Sequence, residues 1–358
     1  MKANLIQSNS VFLLTLLLWV SSLSAFGKPL ENIKKKQVNQ SYSVSQSDKL
    51  QVDNRFGNIT ITHWSKNEVA IRVEIESKAS NEQRAQENLD RIQIETQKAG
   101  SVVSAITTIK ERNGNSNNES MTINYYIQMP AKFASELTQK YGNINMPSDN
   151  NGKTDIHVKY GNLNAGNFVA NIMIEAKYGN IEVGNLQNAQ LDLGYVGNAK
   201  INDAKELSID SKYSNLKLNT ADNLSMEMKY GNLTVENIDK ISMEVKYSDV
   251  KIGTLKRTLD VGELSYSNLR IDNLSPSFDK VNVESHYGNL DVRVPAKTSF
   301  KVVAENMKYS SCSVNGFNIT SSNVDKEEKT YTYEINGGSQ RAIRFEGNKY
   351  GNLKVKAN

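Results

Sequence analysis

The segment SMEMKYGNLTV, residues 225–235, carries the pattern that decides the fold. Apolar residues stand four and two positions before Tyr230 and three and five positions after it, with polar residues between them. Period-two alternation predicts a β-strand with one buried face, here one strand before the Tyr-Gly-Asn step and another after it. Gly and Asn accept turn and left-handed conformations, so the Gly-Asn pair is interpreted as the corner between the two strands.

About a dozen versions of this step recur along the chain. They begin at Phe56, Tyr141, Tyr160, Tyr178, Tyr195, Tyr213, Tyr230, Tyr247, Tyr266, Tyr287, Tyr309 and Tyr350. From Tyr141 to Tyr266 the intervals are 19, 18, 17, 18, 17, 17 and 19 residues. A period of about 18 is too short for an independent domain and suits one coil of a solenoid, because each coil buries its apolar face against its neighbours. The sequence therefore predicts an all-β parallel β-helix with about 18 residues per coil.

Two outward columns of the predicted coils carry charge. In eight repeats the residue directly before the tyrosine is a lysine: Lys140, Lys159, Lys177, Lys212, Lys229, Lys246, Lys308 and Lys349. In seven repeats the residue three before it is an acid: Glu175, Asp192, Asp210, Glu227, Glu244, Glu263 and Glu284. Stacked lysines roughly 4.8 Å apart would repel one another, and the acidic column offsets that repulsion. The favoured interpretation is a solvated, self-neutralising wall. The alternative is a ligand face for an anionic polysaccharide or lipopolysaccharide, with candidate residues Lys159, Lys177, Lys212, Lys229, Lys246, Glu175, Glu227 and Glu244.

Eleven of the 16 tyrosines occupy the first position of the repeat. Counted from the strand before the step, this position has inward parity, which predicts a stacked aromatic ladder at a corner of the core. A platform on which sugars stack is the alternative interpretation. The asparagines two positions later are expected to form a second ladder, each amide bonding to the next coil.

Two regions break the period. Between Phe56 and Tyr141, alternating segments flank a helix-like stretch at Asn81–Asp90, which predicts a small α+β cap over an open strand edge. Ser310–Asn348 departs from the period at the other end. The predicted organisation is a signal peptide at 1–27, a strand with the α+β cap at 28–137, the regular solenoid at 138–309, and irregular coils with a cap at 310–358.

The first residues are typical of an export signal. Lys2 precedes an apolar run at 11–20, and small residues at Ala25 and Gly27 predict cleavage after Gly27. The run is too short for a stable anchor, so the mature chain is expected in the periplasm, on the outer-membrane surface or in the medium, without a transmembrane anchor. Losing the leader lowers the formal charge only from +4 to +3, which does not indicate a nucleic-acid binder. The Lys- and Asn-rich composition points to a Gram-negative source.

The order of elements resembles a bacterial family of adhesin-like domains of unknown function, related to the head domains of autotransporter adhesins. The resemblance begins at FGNITITHWSKNEVAIRVEIE (56–76), continues through the helix near Asn81 and MTINYYIQMPAKF (121–133), and then enters the repeats. It covers most of the mature chain and implies a right-handed parallel β-helix in the cell envelope. The chain departs from the family in its strong Tyr-Gly-Asn regularity and its long C-terminal insertion, and the family supplies no binding residue to transfer.

No catalytic, cofactor-binding or metal-binding residue is predicted. His157 and His286 lie seven coils apart, roughly 34 Å at about 4.8 Å per coil, and His63 has no evident partner. Cys312 stands in an apolar column and is interpreted as an inert buried thiol. The favoured hypothesis is a non-catalytic interaction scaffold whose partner is a cell-surface glycan or an envelope protein. A polysaccharide lyase or hydrolase of the β-helix type and an envelope-stress signalling component are the alternatives.

Overall fold

The computed structural model describes residues 32–111 and 119–358, and the predicted signal peptide and cleavage site lie outside them. The described part is nearly all β, as predicted, with one helix. In chain order the elements are β1 (Asn32–Ser43), β2 (Lys49–Arg55), β3 (Ile59–Trp64), β4 (Glu68–Ala79), α1 (Glu82–Asp90), β5 (Ile92–Ala99), β6 (Val102–Ile109), β7 (Ser120–Pro130), β8 (Ala134–Lys140), β9 (Ile144–Asn145), β10 (Asp149–Asn150), β11 (Thr154–Lys159), β12 (Leu163–Ala165), β13 (Asn167–Phe168), β14 (Ile172–Val183), β15 (Leu186–Lys212), β16 (Asn215–Ser265), β17 (Asn268–Leu274), β18 (Lys280–His286), β19 (Asn289–Val294), β20 (Phe300–Glu305), β21 (Cys312–Asn315), β22 (Ile319–Asp325), β23 (Thr330–Ile335), β24 (Ala342–Lys349) and β25 (Asn352–Ala357).

Successive repeats pair in parallel, with equivalent residues side by side. Ile156 of β11 lies opposite Leu137 of β8 and Ile174 of β14, one repeat away on either side. The same offset joins β14 to β15 and β15 to β16. Each column of the sequence repeat therefore becomes a physical row that crosses the sheet.

The predicted inward columns form the core. Met226, Met228, Leu233 and Val235 are all at most 3% exposed, and most of their equivalents in the other repeats are buried as well, while Met146, Ala165 and Val314 are partly exposed. Burying one such side chain stabilises a fold by about 1.5–3 kcal/mol. The alternation that was read from the sequence therefore supplies the main stabilising term of the repeat region.

The N-terminal strands continue the same rows. β2 pairs in parallel with β8 and β6, and β3 pairs with β9 and β7, so the Phe56 segment lies directly beside the Tyr141 repeat. β4 lies antiparallel between β1 and β7, and α1 packs on β1 and β4. The predicted helix is confirmed, and its N-cap is Asn81, whose side chain accepts a hydrogen bond from the Arg84 amide at 2.8 Å.

The C-terminal strands lie out of chain order. β24 pairs in parallel with both β18 and β20, while β25 pairs with both β19 and β21. Residues 342–357, which the sequence groups with the irregular end, thus form a repeat inserted between two earlier ones. The hairpin β22–β23 lies antiparallel to β20 beyond it. The domain boundaries themselves stay predictions.

Candidate ligand-binding surface

An aromatic ladder runs along the repeats at the surface. Its rings, in spatial order, are Phe56, Tyr141, Tyr160, Tyr178, Tyr195, Tyr213, Tyr230, Tyr247, Tyr266, Tyr287, Tyr350 and Tyr309. Neighbouring ring centroids are 4.7–5.5 Å apart, and neighbouring ring planes differ by 2–19°. Tyr287 is half-buried, and the other eleven residues are 37–58% exposed. We call this row the tyrosine ladder.

The prediction that these tyrosines belong to an inward corner of the core is wrong. Phe56 and the ladder tyrosines other than Tyr309 have φ between +44° and +62°, the left-handed region. A left-handed residue breaks the alternation, so the lysine and the tyrosine both point outward and the following residue points inward. Ser214 and Ser248, which directly follow Tyr213 and Tyr247, are accordingly 1% and 5% exposed. The sequence did contain a signal for this change, because the inward columns fall on even positions before the tyrosine and odd positions after it.

At every corner except that of Tyr309, the left-handed residue is the aromatic one, whereas the sequence predicted that the Gly-Asn pair would adopt this conformation. A left-handed conformation costs an ordinary residue about 1–2 kcal/mol. Stacking of two rings returns about 0.5–1.5 kcal/mol per pair, so the ladder offsets much of that strain. The glycine is needed for close approach, since a Cβ on Gly161 would lie 1.7 Å from the carbonyl oxygen of Gly142.

The stack determines what the ladder can offer to a ligand. Rings about 5 Å apart cover one another's faces, so a sugar cannot stack on an internal ring. Ring edges and phenol hydroxyls remain accessible. The interpretation as a sugar-stacking platform therefore does not fit the internal rings, whereas hydrogen bonding to a row of hydroxyls does.

The predicted lysine column flanks the ladder. Lys159 Nζ lies 5.3 Å from the centroid of the Tyr160 ring. Lys177 and Lys212 each pair with the acid two residues earlier on their own strand, with Nζ–O distances of 2.6 Å to Glu175 and 3.3 Å to Asp210. The other two predicted lysines belong to the same column. Lys229 is partly exposed, and Lys246 forms an ion pair with Glu263 on the next repeat.

The acidic column lies on the same strand face as the lysines. Glu175 accepts a hydrogen bond from Lys177 and lies 3.1 Å from His157 Nδ1 on the preceding repeat. The Lys177 hydrogen bond holds the pKa of the Glu175 carboxyl below its usual value, and the same bond raises the pKa of Lys177. Exposed Glu227 and Glu244 continue the row. All eight predicted ligand-face residues thus lie on one surface, and the ion pairs of Lys177, Lys212 and Lys246 fit the self-neutralising wall.

Sequence reasoning missed a groove beside this wall. A groove of about 760 Å³ crosses the repeats from Asp155 to Asp260, and a second of about 450 Å³ adjoins it. Both are lined by Ser208, Ser225 and Ser242, five positions before the tyrosine. The acidic column borders the smaller groove, and Asn171, Asn188 and Asn223 border the larger one. Small serines between longer polar columns were the available signal for a depression.

The predicted asparagine ladder is confirmed on the other side of the tyrosines. Asn162 donates to Asn143 Oδ1 at 3.0 Å, and Asn180 donates to Asn162 Oδ1 at 3.2 Å. The pattern recurs between Asn232 and Asn215 at 2.8 Å. These bonds fix the corner on which the rings stand.

Histidine, cysteine and acidic side chains are the groups that metal binding or catalysis would use. Residues 32–111 and 119–358 contain no group of three His, Cys, Asp or Glu side chains that could hold a metal ion. Burial lowers the pKa of His63 and raises that of the partly buried Cys312 thiol to about 12. No helix within residues 32–111 and 119–358 is long and apolar enough to cross a membrane.

Comparisons with known proteins give distant likenesses only. No family model matches the chain, and no curated protein matches it. Among solved structures it is similar to a candidate adhesin from Bacteroides fragilis, with 13% identity over 90% of this chain and 97% of that one and a TM-score of 0.30. It is also similar to a candidate lipid-binding protein from Parabacteroides distasonis (10% identity, 90% and 96% coverage, TM-score 0.31). A candidate cell adhesion protein from Clostridium sporogenes follows with 11% identity, 91% and 100% coverage and a TM-score of 0.21.

Proposed function

We propose that this protein is an exported, non-catalytic β-solenoid of the bacterial cell envelope that binds an extended surface glycan in the manner of an adhesin. The observation that carries the proposal is the uninterrupted tyrosine ladder with its lysine and acidic columns and the adjoining groove. An aromatic ring recurs at every coil, and each tyrosine coil adds a lysine, an acid or both beside the ring at the surface. The apolar run at 11–20 supports export.

The pairing pattern supports a parallel β-helix, for which the family resemblance implies a right-handed coil. Parallel partners one repeat apart, a core made of the inward columns and stacked corners are the features that such a solenoid requires. A solenoid is rigid along its length, so it holds its outward columns at a fixed spacing. That rigidity is useful to a protein that presents a long binding surface.

A periodic surface fits a periodic ligand. Each tyrosine repeat presents a phenol with a lysine, an acid or both beside it, although Gly194, Ser265 and His286 replace the lysine in three repeats, so the surface is a row of similar sites. A polymer can engage many repeats at once, and weak contacts then add up through effective concentration.

The chemistry of the surface favours a hydroxyl-rich polymer. Tyrosine and serine hydroxyls, asparagine amides and carboxylates all exchange hydrogen bonds with sugar hydroxyls. The lysines and acids neutralise one another, as the Glu175–Lys177 pair shows, so a strongly charged ligand has no large field to follow. We therefore favour a glycan of low charge over an anionic polysaccharide.

The test measures binding of the purified mature chain to glycan polymers and to Gram-negative cell-surface fractions. We expect affinity to rise with polymer length at constant composition. The triple variant Lys159→Met, Lys212→Met, Lys229→Met removes three hydrogen-bond donors and should weaken binding. A matched variant on the opposite side of the corner, Lys200→Met, Lys217→Met, Lys251→Met, makes the same change at exposed positions and should leave binding intact.

Two results would contradict the proposal. Binding that is absent from every glycan and surface fraction would remove the adhesin-like role. Shortening of a bound polymer over time would show turnover and favour the lyase or hydrolase.

A further inference from the structure

The tyrosine ladder contains an unusual density of oxidisable groups. Eleven phenols stand in one row, and each has a ring neighbour about 5 Å away. Phenol is among the side chains most readily oxidised by one electron, and the exposed hydroxyl can release its proton to water. The five other tyrosines lie outside the row, and Tyr125 among them is fully buried.

Ring stacking lets an oxidised site move. Faces that overlap at 4.7–5.5 Å allow an electron to pass from one ring to the next, so a radical formed at one repeat can reach another. Two radicals formed anywhere on the same ladder can therefore become neighbours. Scattered tyrosines offer no such route.

We propose that the tyrosine ladder is a site of oxidative cross-linking, in which phenoxyl radicals on adjacent repeats couple to form intrachain dityrosine. Each of two phenols loses one electron and one proton, the two radicals join through ring carbons ortho to the oxygens, and both rings regain aromaticity. The electrons reduce one hydrogen peroxide with two protons to two water molecules, so the oxidant required is a peroxidase with hydrogen peroxide. Each coupled pair must turn from stacked to edge-to-edge, which the exposed rings leave room to do.

The cross-link would supply a covalent bond between neighbouring repeats. Cys312 is the only cysteine in the chain, so no disulfide within one chain ties the repeats together. A dityrosine bond joins neighbouring repeats covalently at their outer edge. It would also alter the hydroxyl row on which glycan binding is proposed to rest, although the cross-linking does not depend on that binding.

The experiment compares two variants with the same number of tyrosines. The alternating variant carries Tyr160→Phe, Tyr195→Phe, Tyr230→Phe, Tyr266→Phe and Tyr350→Phe, which leaves no two tyrosines adjacent in the ladder. The contiguous variant carries Tyr141→Phe, Tyr160→Phe, Tyr178→Phe, Tyr195→Phe and Tyr213→Phe, which leaves six adjacent tyrosines from Tyr230 to Tyr309. Phenylalanine keeps the stacking ring and removes only an exposed hydroxyl, and circular dichroism checks that both variants fold.

Each dilute protein is treated with peroxidase and hydrogen peroxide, and dityrosine is measured by fluorescence and mapped by mass spectrometry of monomeric chains. We expect the wild type and the contiguous variant to form intrachain links between ladder neighbours, because neighbours held in contact react far faster than separate molecules. The alternating variant should lose at least about tenfold of that intrachain yield. Equal yields in the two variants would overturn the proposal. A second result would also overturn the proposal: dityrosine links in the wild type that are confined to the tyrosines outside the ladder, namely Tyr42, Tyr126, Tyr331 and Tyr333.

Discussion

In the regular repeats, the inward positions are filled almost entirely by aliphatic side chains, and polar residues form ladders along the surface. The N-terminal region is different, because it buries a discrete polar network. Asn54 donates to Gln139 Oε1 at 3.0 Å and accepts from Thr107 at 3.1 Å, and Thr107 lies 2.8 Å from the Tyr125 hydroxyl. All four side chains are at most 4% exposed.

The difference shows how each region is stabilised. A repeat gains stability because its inward apolar side chains pack against those of the adjacent repeats. A substitution on its outer wall should therefore change the free energy of unfolding only slightly. The N-terminal network depends on specific partners, and losing one leaves another buried without a hydrogen bond. We therefore expect the two regions to respond differently to substitutions of similar size.

The largest effect is expected at the apolar core of a repeat. Leu233→Asp places a carboxylate in a position that is 1% exposed and should lower the free energy of unfolding by several kcal/mol. Lys229→Gln, four residues earlier on the outer wall, should cost less than about 1 kcal/mol. Urea denaturation measures both. Comparable losses would contradict the assignment of inward and outward columns.

The next effect concerns the corner glycine. Gly161→Ser should destabilise by about 3 kcal/mol, because the new Cβ would meet the backbone oxygen of Gly142 at 1.7 Å. Serine nevertheless occupies the same column at Ser248, where its hydroxyl donates to the Lys246 carbonyl at 2.9 Å. Thermal unfolding of Gly161→Ser and of the reverse change Ser248→Gly tests whether the two repeats differ in the residue that they accept at this corner. If Gly161→Ser lost little stability, the repeats would have to separate enough to accept either residue.

A smaller effect is expected in the N-terminal network. Asn54→Ala should cost about 2 kcal/mol, because Gln139 and Thr107 both lose a buried partner. Tyr125→Phe should cost about 1 kcal/mol, since Thr107 still donates to Asn54. Chemical denaturation of the two variants gives the comparison. If Tyr125→Phe proved the more damaging, the network would have to centre on the phenol.

The smallest effect is the pH dependence of the outer wall. Folding lowers the pKa of Glu175 through the Lys177 hydrogen bond, so this pair stabilises the fold above about pH 4.5 and loses its contribution as the pH falls through the lowered value. Because Glu175 is 40% exposed, we expect less than about 1 kcal/mol, reduced further by high salt. Melting curves between neutral and acid pH should show a slightly shallower dependence for Glu175→Gln. An identical or steeper dependence would contradict the sign.

Much of the fold could be predicted from local patterns. Period-two alternation identified the buried columns around Leu233, the repeat interval gave the parallel register, and Asn81 marked the helix start. The outward turn of the tyrosines could not be obtained by counting parity, because one left-handed residue per repeat shifts the alternation. The insertion of 342–357 between earlier repeats was also beyond local reasoning, since strand order depends on which partner is available. The eight predicted ligand-face residues do share a surface, whereas the groove appears only when stacked serines are seen together.

The central claim is that repeats stack in register with the acidic column outside. It is tested by disulfide formation in a Cys312→Ser background. Asp210→Cys with Glu227→Cys joins register partners that lie about 4.8 Å apart, within the reach of a disulfide. Asp210→Cys with Glu244→Cys spans two repeats, about twice that distance and too far to bridge. Mild oxidation should close the first pair within one chain and leave the second open; failure of the first pair, or closure of both alike, would contradict the stacked arrangement.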